Sequence, residues 1–188
     1  MLISIVRHGE TTWNALKKIQ GQADPPMNED GIAQAMKLAE EMGDLISLYQ
    51  CIFSSNRDRA KMTAELLRGN YRIPIFFDSL LDSRNVGIFS GMTLEEIEEQ
   101  YPEHYRKWVS GDPEFCPPGG ESTRDLAKRC KDFVYFIKKK YPEDSKILVV
   151  THRENLALLT YYITGERIQD FLRKIQNCTL YTYNLKKE

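Results

Sequence analysis

The chain reads as an α/β protein, a three-layer α/β/α sandwich with a mostly parallel central sheet. Three observations predict it. Short apolar runs with strand character recur along the chain, residues 2–6 (LISIV) and 147–150 (ILVV) being the strongest. Stretches with apolar residues at helical spacing lie between them, an alternation that returns the chain across a sheet and makes strands parallel. No internal repeat, low-complexity tract or linker interrupts the pattern, and 188 residues suit one domain, 1–188, with a substantial core.

Each element follows in order. After the first strand, Asn28 is placed to cap a helix whose apolar positions are Ile32, Ala35, Met36, Ala39 and Met42. Residues 51–53 form a short apolar strand ending in Ser54-Ser55-Asn56, and Ala60, Ala64 and Leu67 mark the next helix. Residues 73–77 read as a strand, with Pro74 confining it to an edge or making it a strand start. Thr93 with Glu96 is a capping box opening a short acidic helix, and Pro102 starts another carrying Tyr105 and Trp108. A Pro/Gly-rich loop occupies 111–120. Ser122 and Asp125 then open a long helix with Leu126, Cys130, Phe133 and Ile137 on one stripe. Lys138-Lys139-Lys140 closes it, where cations suit the helix dipole. The 147–150 strand leads into Thr151-His152, then a helix through Leu156, Leu159 and Ile163 ending near Gly165. Residues 180–185 alternate apolar and polar as a final strand.

Bulk chemistry narrows the partners. Lys+Arg 26 against Asp+Glu 27 gives a net charge of −1, which argues against general nucleic-acid binding. No apolar run approaches a membrane span, and the first residues lack the basic region of a signal peptide. Cys51, Cys116, Cys130 and Cys178 are scattered without a C-x-x-C pair, the usage of reduced thiols in a cytoplasmic protein. Only His8, His104 and His152 are present, too few for a histidine-rich metal site. His104 lies in a polar stretch and reads as a solvated helix residue.

The chemistry-bearing signal is Arg7-His8-Gly9-Glu10-Thr11, directly after the first strand. A histidine at the carboxyl end of a strand sits where open α/β sheets bind ligands; an adjacent arginine neutralises an oxyanion and a glycine allows close backbone approach. His152 repeats the placement after its own strand. If the strands are parallel, both imidazoles lie on one side of the sheet and share a site. Glu10 reads as lying just inside a helix start, where a carboxylate favours the dipole and orients neighbours, and it is given no chemistry.

Further motifs follow in order: Trp13-Asn14, Gln20-Gly21, Asp24-Pro25-Pro26, Gly31, Gln34-Ala35, then Ser54-Ser55, Arg59-Ala60 and Thr63-Ala64, then Pro118-Gly119-Gly120-Glu121-Ser122 and finally Val149-Val150-Thr151-His152. Over nearly its whole length the chain thereby resembles the histidine phosphatase superfamily, with its phosphoglycerate-mutase-like fold. The 92–105 segment is similar to the fructose-2,6-bisphosphatase and broad-specificity phosphatase branches. The resemblance implies a metal-independent phosphatase needing no cofactor, which hydrolyses a phosphorylated small molecule or phosphoprotein through a phosphohistidine on His8. Arg7 and Arg59 would clamp the phosphoryl oxygens, and His152, protonated, would donate to an oxygen that gains charge. Asn14, Gln20 and Gly21 would add phosphate contacts. The alternatives are a phosphate-binding regulatory protein with little or no turnover, and a mutase-type phosphotransferase. Neither a nucleic acid nor a membrane is expected as partner, and oligomeric state is left open.

The chain departs from the family where the leaving-group acid is expected. The usual glutamate of L-x-E-x-x-x-G is Ser83, within Leu81-Asp82-Ser83-Arg84-Asn85-Val86-Gly87. Asp82 is the candidate replacement donor, with Glu154 a distant second. Otherwise the leaving group needs little protonation, as in phosphohistidine, acyl or aryl phosphates, or turnover is poor. Arg57, Arg84, Arg153 and Lys18 suggest a basic rim for a second phosphate or an acidic peptide, with Arg153, beside His152, the strongest substrate-binding candidate.

Overall fold

The computed structural model describes residues 1–186. Strands β1 (Leu2–Arg7), β2 (Cys51–Ser54), β3 (Ile75–Phe77), β4 (Lys146–Thr151) and β5 (Leu180–Asn184) form one sheet in the order β3-β2-β4-β1-β5. The pairs β1–β4, β2–β4 and β2–β3 are parallel, and β5 closes the β1 edge antiparallel. The mostly parallel sandwich is therefore as expected. Pro74 stands just before β3 at the sheet edge, where its carbonyl still accepts from Ile52 N–H at 2.9 Å and its missing N–H costs the ladder nothing.

Alternation along the strands feeds two apolar layers. Ile3, Ile5, Phe53, Ile147 and Val149 face one way, against α6 (Thr123–Lys140), α7 (Arg153–Thr164) and α8 (Ile168–Leu172). Val6, Ile52, Leu148 and Val150 face the other, against α2 (Glu29–Met42) and α3 (Asp58–Arg68). Ser4 is buried in this second face. Its hydroxyl is satisfied by Tyr49 Oη at 2.7 Å and Thr182 Oγ1 at 2.8 Å. A third, smaller cluster of Val86, Phe89, Ile97 and Phe115 holds α4 (Leu94–Gln100) and α5 (Pro102–Val109) over the carboxyl ends of the strands.

The caps act as the sequence indicates. Asn28 accepts from Gly31 N–H, and the Thr93–Glu96 and Ser122–Asp125 boxes are closed in both directions. Two expectations need correction. In α2 the buried positions are Gly31, Ala35, Leu38 and Met42, and Met36 is solvent-exposed: one residue after Ala35 lies about 100° further round the helix, off the core-facing stripe. His104 is not simply solvated; it is half-buried, its ring edge-on to Tyr101 and Phe115. The four cysteines are unpaired, three buried and Cys116 exposed. No helix among the described residues is long and apolar enough to cross a membrane.

The loop leaving β1 is locked against the start of α2. A Cβ on Gly31 would fall 2.0 Å from Glu10 O, and one on Gly9 2.5 Å from Gly31 O. Glu10 Oε1 in turn accepts from the Asn28 side chain at 2.8 Å. The expectation that Glu10 lies just inside a helix is corrected: it stands one residue before the Thr11 cap of α1 (Thr12–Ala15), outside the helix, and orients the neighbouring cap of α2 instead. Gly31→Ala should thus destabilise the protein by about 1–3 kcal/mol in urea unfolding through overpacking against rigid backbone; an unchanged midpoint would show that the loop yields.

Candidate active site

The register of the central strands assembles the site. Arg7 of β1 lies opposite Thr151 of β4, so His8 and His152 leave adjacent parallel strands together, with ring centroids 5.2 Å apart. Ser54 of β2 lies opposite Val150, which places Ser55 and the first turn of α3 beside them. The loop after β3 delivers Asp82, Ser83 and Arg84. Four parallel strand ends thus converge on one cleft of about 340 Å³.

His8 is 3% exposed. Its Nδ1 lies 2.7 Å from Gly9 O, which can only accept, so Nδ1 carries the proton and Nε2 keeps a free lone pair. Arg59 Nε–H points at that lone pair from 3.3 Å. Burial, then Arg59 and Arg7, holds the imidazole well below the usual histidine range and therefore neutral.

Arg59 is the central cation. Its Nη2 donates to Gly21 O at 2.8 Å and also lies 3.3 Å from His152 Nδ1; its Nη1 donates to Ala23 O and lies 3.3 Å from Asp24 Oδ1. Asp24 also accepts from Asp58 N–H at 3.0 Å, fixing the start of α3 that carries Arg59. Burial pulls Arg59 down to about 10, with Asp24 opposing, and pulls Arg7 down to about 10; both stay cationic near neutrality. Arg7 Nε is buried with no hydrogen-bond partner among the described residues, a donor on the cleft wall that suits an anionic oxygen.

His152 sits at the N-cap of α7 with Nε2 2.8 Å from Ser55 Oγ. Ser55 donates to Asp82 Oδ1 at 2.9 Å and accepts from Arg57 N–H at 3.1 Å, so its oxygen accepts from His152 Nε2–H. Nδ1 is left facing Arg59 and the cleft. The expectation of a protonated His152 is corrected: burial, then Arg59, His8, Arg7 and Arg57, pushes this imidazole well below the usual range, towards the neutral form.

The other candidates divide. Asn14 lines the cleft; its Oδ1 accepts from Thr11 N–H and Oγ1–H, both at 3.1 Å, which fixes the amide and leaves Nδ2 for a ligand. Gln20 and Gly21 line it too, with Gly21, at φ 54°, acting through its carbonyl on Arg59. Lys18 and Arg153 are on the wall, Arg153 also donating to Leu172 O at 3.0 Å. The structure does not bring Asp82 to the wall: its carboxylate is buried behind it, bound by Ser55, by Asn56 N–H at 2.7 Å and by Arg57 at 3.2 Å. Ser83 and Glu154 do face the cleft. Two members of the expected basic rim are also corrected. Arg57 turns inward to Asp24 and Asp82. Arg84 is buried, paired to Glu154 at 3.0 and 3.2 Å, bonded to Thr123 Oγ1 and stacked 4.2 Å over the Trp108 ring. Ser55 and Asp24 are site residues that sequence reasoning left unassigned, although each lies inside a quoted motif.

Both histidines are depressed relative to the unfolded chain. The unfolded state therefore binds more protons just below the ordinary histidine pKa, and stability rises with pH there and falls as pH is lowered below about 6.5. Urea unfolding across this window should show the fall, and His8→Gln should make its slope shallower.

Comparison with known proteins places the chain in a family. The profile of the histidine phosphatase superfamily (branch 1) matches residues 3–188. A metal-independent phosphoserine phosphatase of Arabidopsis thaliana is 37% identical over 164 residues, 86% of this chain and 68% of that protein. The probable phosphoglycerate mutase GpmB of Salmonella paratyphi C is 33% identical over 179 residues, 95% of this chain and 82% of that protein. Among solved structures, Bacillus stearothermophilus YhfR superposes with a TM-score of 0.84 at 28% identity, over 96% of this chain and 89% of that one. Mycobacterial glucosyl-3-phosphoglycerate phosphatase, in complex with VO3, does so with 0.81 at 27%, over 96% and 91%. With the two strand-end histidines bridged by a buried arginine and the family matched over almost the entire sequence, the chain belongs to the histidine phosphatase superfamily.

Proposed function

We propose that this chain is a metal-independent phosphatase, a single histidine phosphatase domain that hydrolyses a small phosphate monoester through a phosphohistidine on His8. The observation that carries the reading is the His8 Nε2 lone pair, freed by the Nδ1–Gly9 bond and held in a cationic cleft. An imidazole fixed in this tautomer has its nucleophilic atom aimed where Arg7 and Arg59 would hold a phosphoryl group. Attack at phosphorus forms the N–P bond as the ester oxygen leaves with its electron pair; water then attacks phosphorus and returns the pair to Nε2. The charge gained by the phosphoryl oxygens is met by Arg7, Arg59 and Asn14 Nδ2, so the residues themselves supply the positive field.

Two relatives are named for phosphoserine and glucosyl-3-phosphoglycerate, esters that carry a carboxylate near the phosphate. Lys18 and Arg153 stand on the wall beyond the clamp, and they are the groups that would engage such a second acidic group. Arg153 is exposed and Lys18 half-buried, an opening to solvent that favours water as final acceptor over retention of the phosphoryl group for a mutase cycle.

Incubation with phosphate monoesters, followed by trapping of an acid-labile phosphoenzyme, tests the reading directly. The wild type should release phosphate and yield the adduct. His8→Ala should lose both, with kcat down by at least about 1,000-fold; an adduct that survives in that variant, or phosphate bound without turnover of any ester, would overturn it. Asn14→Asp should raise KM roughly 10-fold by replacing a donor with a charge that repels phosphate.

A further inference from the structure

Under the phosphatase reading the departing oxygen needs a proton, and the carboxylates near the cleft are committed elsewhere. Glu154 faces the cleft, but its two oxygens are engaged by Arg84 Nε and Nη2, and that guanidinium is pinned by Thr123 and Trp108. Ser83 supplies a hydroxyl, too weak an acid near neutral pH. Asp82 is buried behind the wall and cannot reach the substrate.

Asp82 nevertheless has a route to the chemistry. Its Oδ1 accepts from Ser55 Oγ–H at 2.9 Å, and Ser55 Oγ accepts from His152 Nε2–H at 2.8 Å. Its Oδ2 is held by Arg57 Nη2 at 3.2 Å, and its backbone carbonyl accepts from Asn155 Nδ2 at 3.0 Å, on the same helix that His152 caps. The carboxylate, hydroxyl and imidazole therefore form one continuous line ending at Nδ1, the atom that faces the clamp. We propose that Asp82, acting through Ser55, is a positioning residue that enables the His152 imidazolium to protonate the departing oxygen, so that the acid of this site is an imidazole backed by a buried carboxylate.

The protons balance. A phosphate monoester dianion enters with one proton from solvent, which resides on His152 Nδ1. As His8 Nε2 bonds to phosphorus, the ester oxygen leaves with its electron pair and takes the Nδ1 proton; His152 becomes neutral, with Nε2–H still on Ser55. When water cleaves the N–P bond, its proton returns to Nδ1. The groups around His152 explain why the relay is needed: besides burial, Arg59 on α3, His8 and Arg7 at the end of β1, and Arg57 just before α3 all oppose a charged imidazole. Opposing them are the entering dianion and Asp82, with Glu154 already paired to Arg84.

The test uses two variants and two readouts. Asp82→Asn and Ser55→Ala each break the line; Ser55→Ala leaves Asp82 with Asn56 N–H and Arg57. With an alkyl phosphate such as glycerol phosphate, kcat should fall about 100-fold or more in each, whereas with p-nitrophenyl phosphate, whose leaving group needs no proton, it should fall less than about 5-fold, with KM little changed. Equal losses on both esters, or no loss on the alkyl ester, would overturn the proposal. The second readout needs no turnover. Imidazole ¹⁵N shifts of His152, recorded with inorganic phosphate in the clamp, should show imidazolium at neutral pH in the wild type and neutral imidazole in Asp82→Asn. The same titration in both would overturn the relay. A wild type that hydrolyses neither ester would instead overturn the phosphatase reading, while the NMR comparison still decides the relay.

Discussion

The guanidinium of Arg59 sits between two imidazoles, and the arrangement of the site depends on that contact. A buried cation is costly unless its donors are matched, and here Gly21 O, Ala23 O and Asp24 take most of them. Those acceptors lie on the 21–24 loop, so the loop, the start of α3 and the two strand ends are fixed relative to one another by one side chain. The remaining donors point at His8 Nε2 and His152 Nδ1. The same charge that would attract a phosphoryl group also keeps both rings neutral, and a neutral ring is the nucleophilic one.

Much of this was legible in the sequence because it rests on local pattern. The two apolar strands, each ending in a histidine, can be read from residues 2–8 and 147–152, and parallel pairing follows from the intervening helices. Arg59 was legible from the Ser54-Ser55…Arg59-Ala60 motif that carries the family resemblance. What escaped depends on partners distant in the chain. Arg57 and Arg84 read as free surface charge, yet each meets a carboxylate that only the fold brings near: Arg57 meets Asp82 across the β2–β3 loops and Arg84 meets Glu154 across the cleft. The protonation of His152 escaped for a similar reason, since it is set by cations counted in space. Met36 illustrates a smaller limit, because helical spacing tolerates a rotation of one residue and burial does not.

The cleft is electrostatically asymmetric. Arg7, Arg59 and Lys18 face it, while the carboxylate on its wall is consumed by Arg84. The Arg84–Glu154 pair, stacked on Trp108, is thus part of the wall and contributes shape more than net charge. An adjoining cavity of about 370 Å³, lined in part by Leu158, Ile168 and Leu172, shares this pair and Trp108 as its boundary. A less polar chamber therefore lies next to the anion site, separated from it by one planar stack.

The small cluster of Val86, Phe89, Ile97 and Phe115 has its own consequence for how the molecule tolerates change. Phe89 contacts Tyr101, Trp108 and Phe115, all within the segment that covers the strand ends, and none of the cluster's buried members belongs to the two layers flanking the sheet. Packing changes at well-separated positions without shared partners are nearly additive. This covering segment is accordingly a separate packing unit whose exchanges of volume reach the cleft through Val86, Ile19 and Trp108, the residues that belong both to the cluster and to the cleft wall, rather than through the layers that flank the sheet.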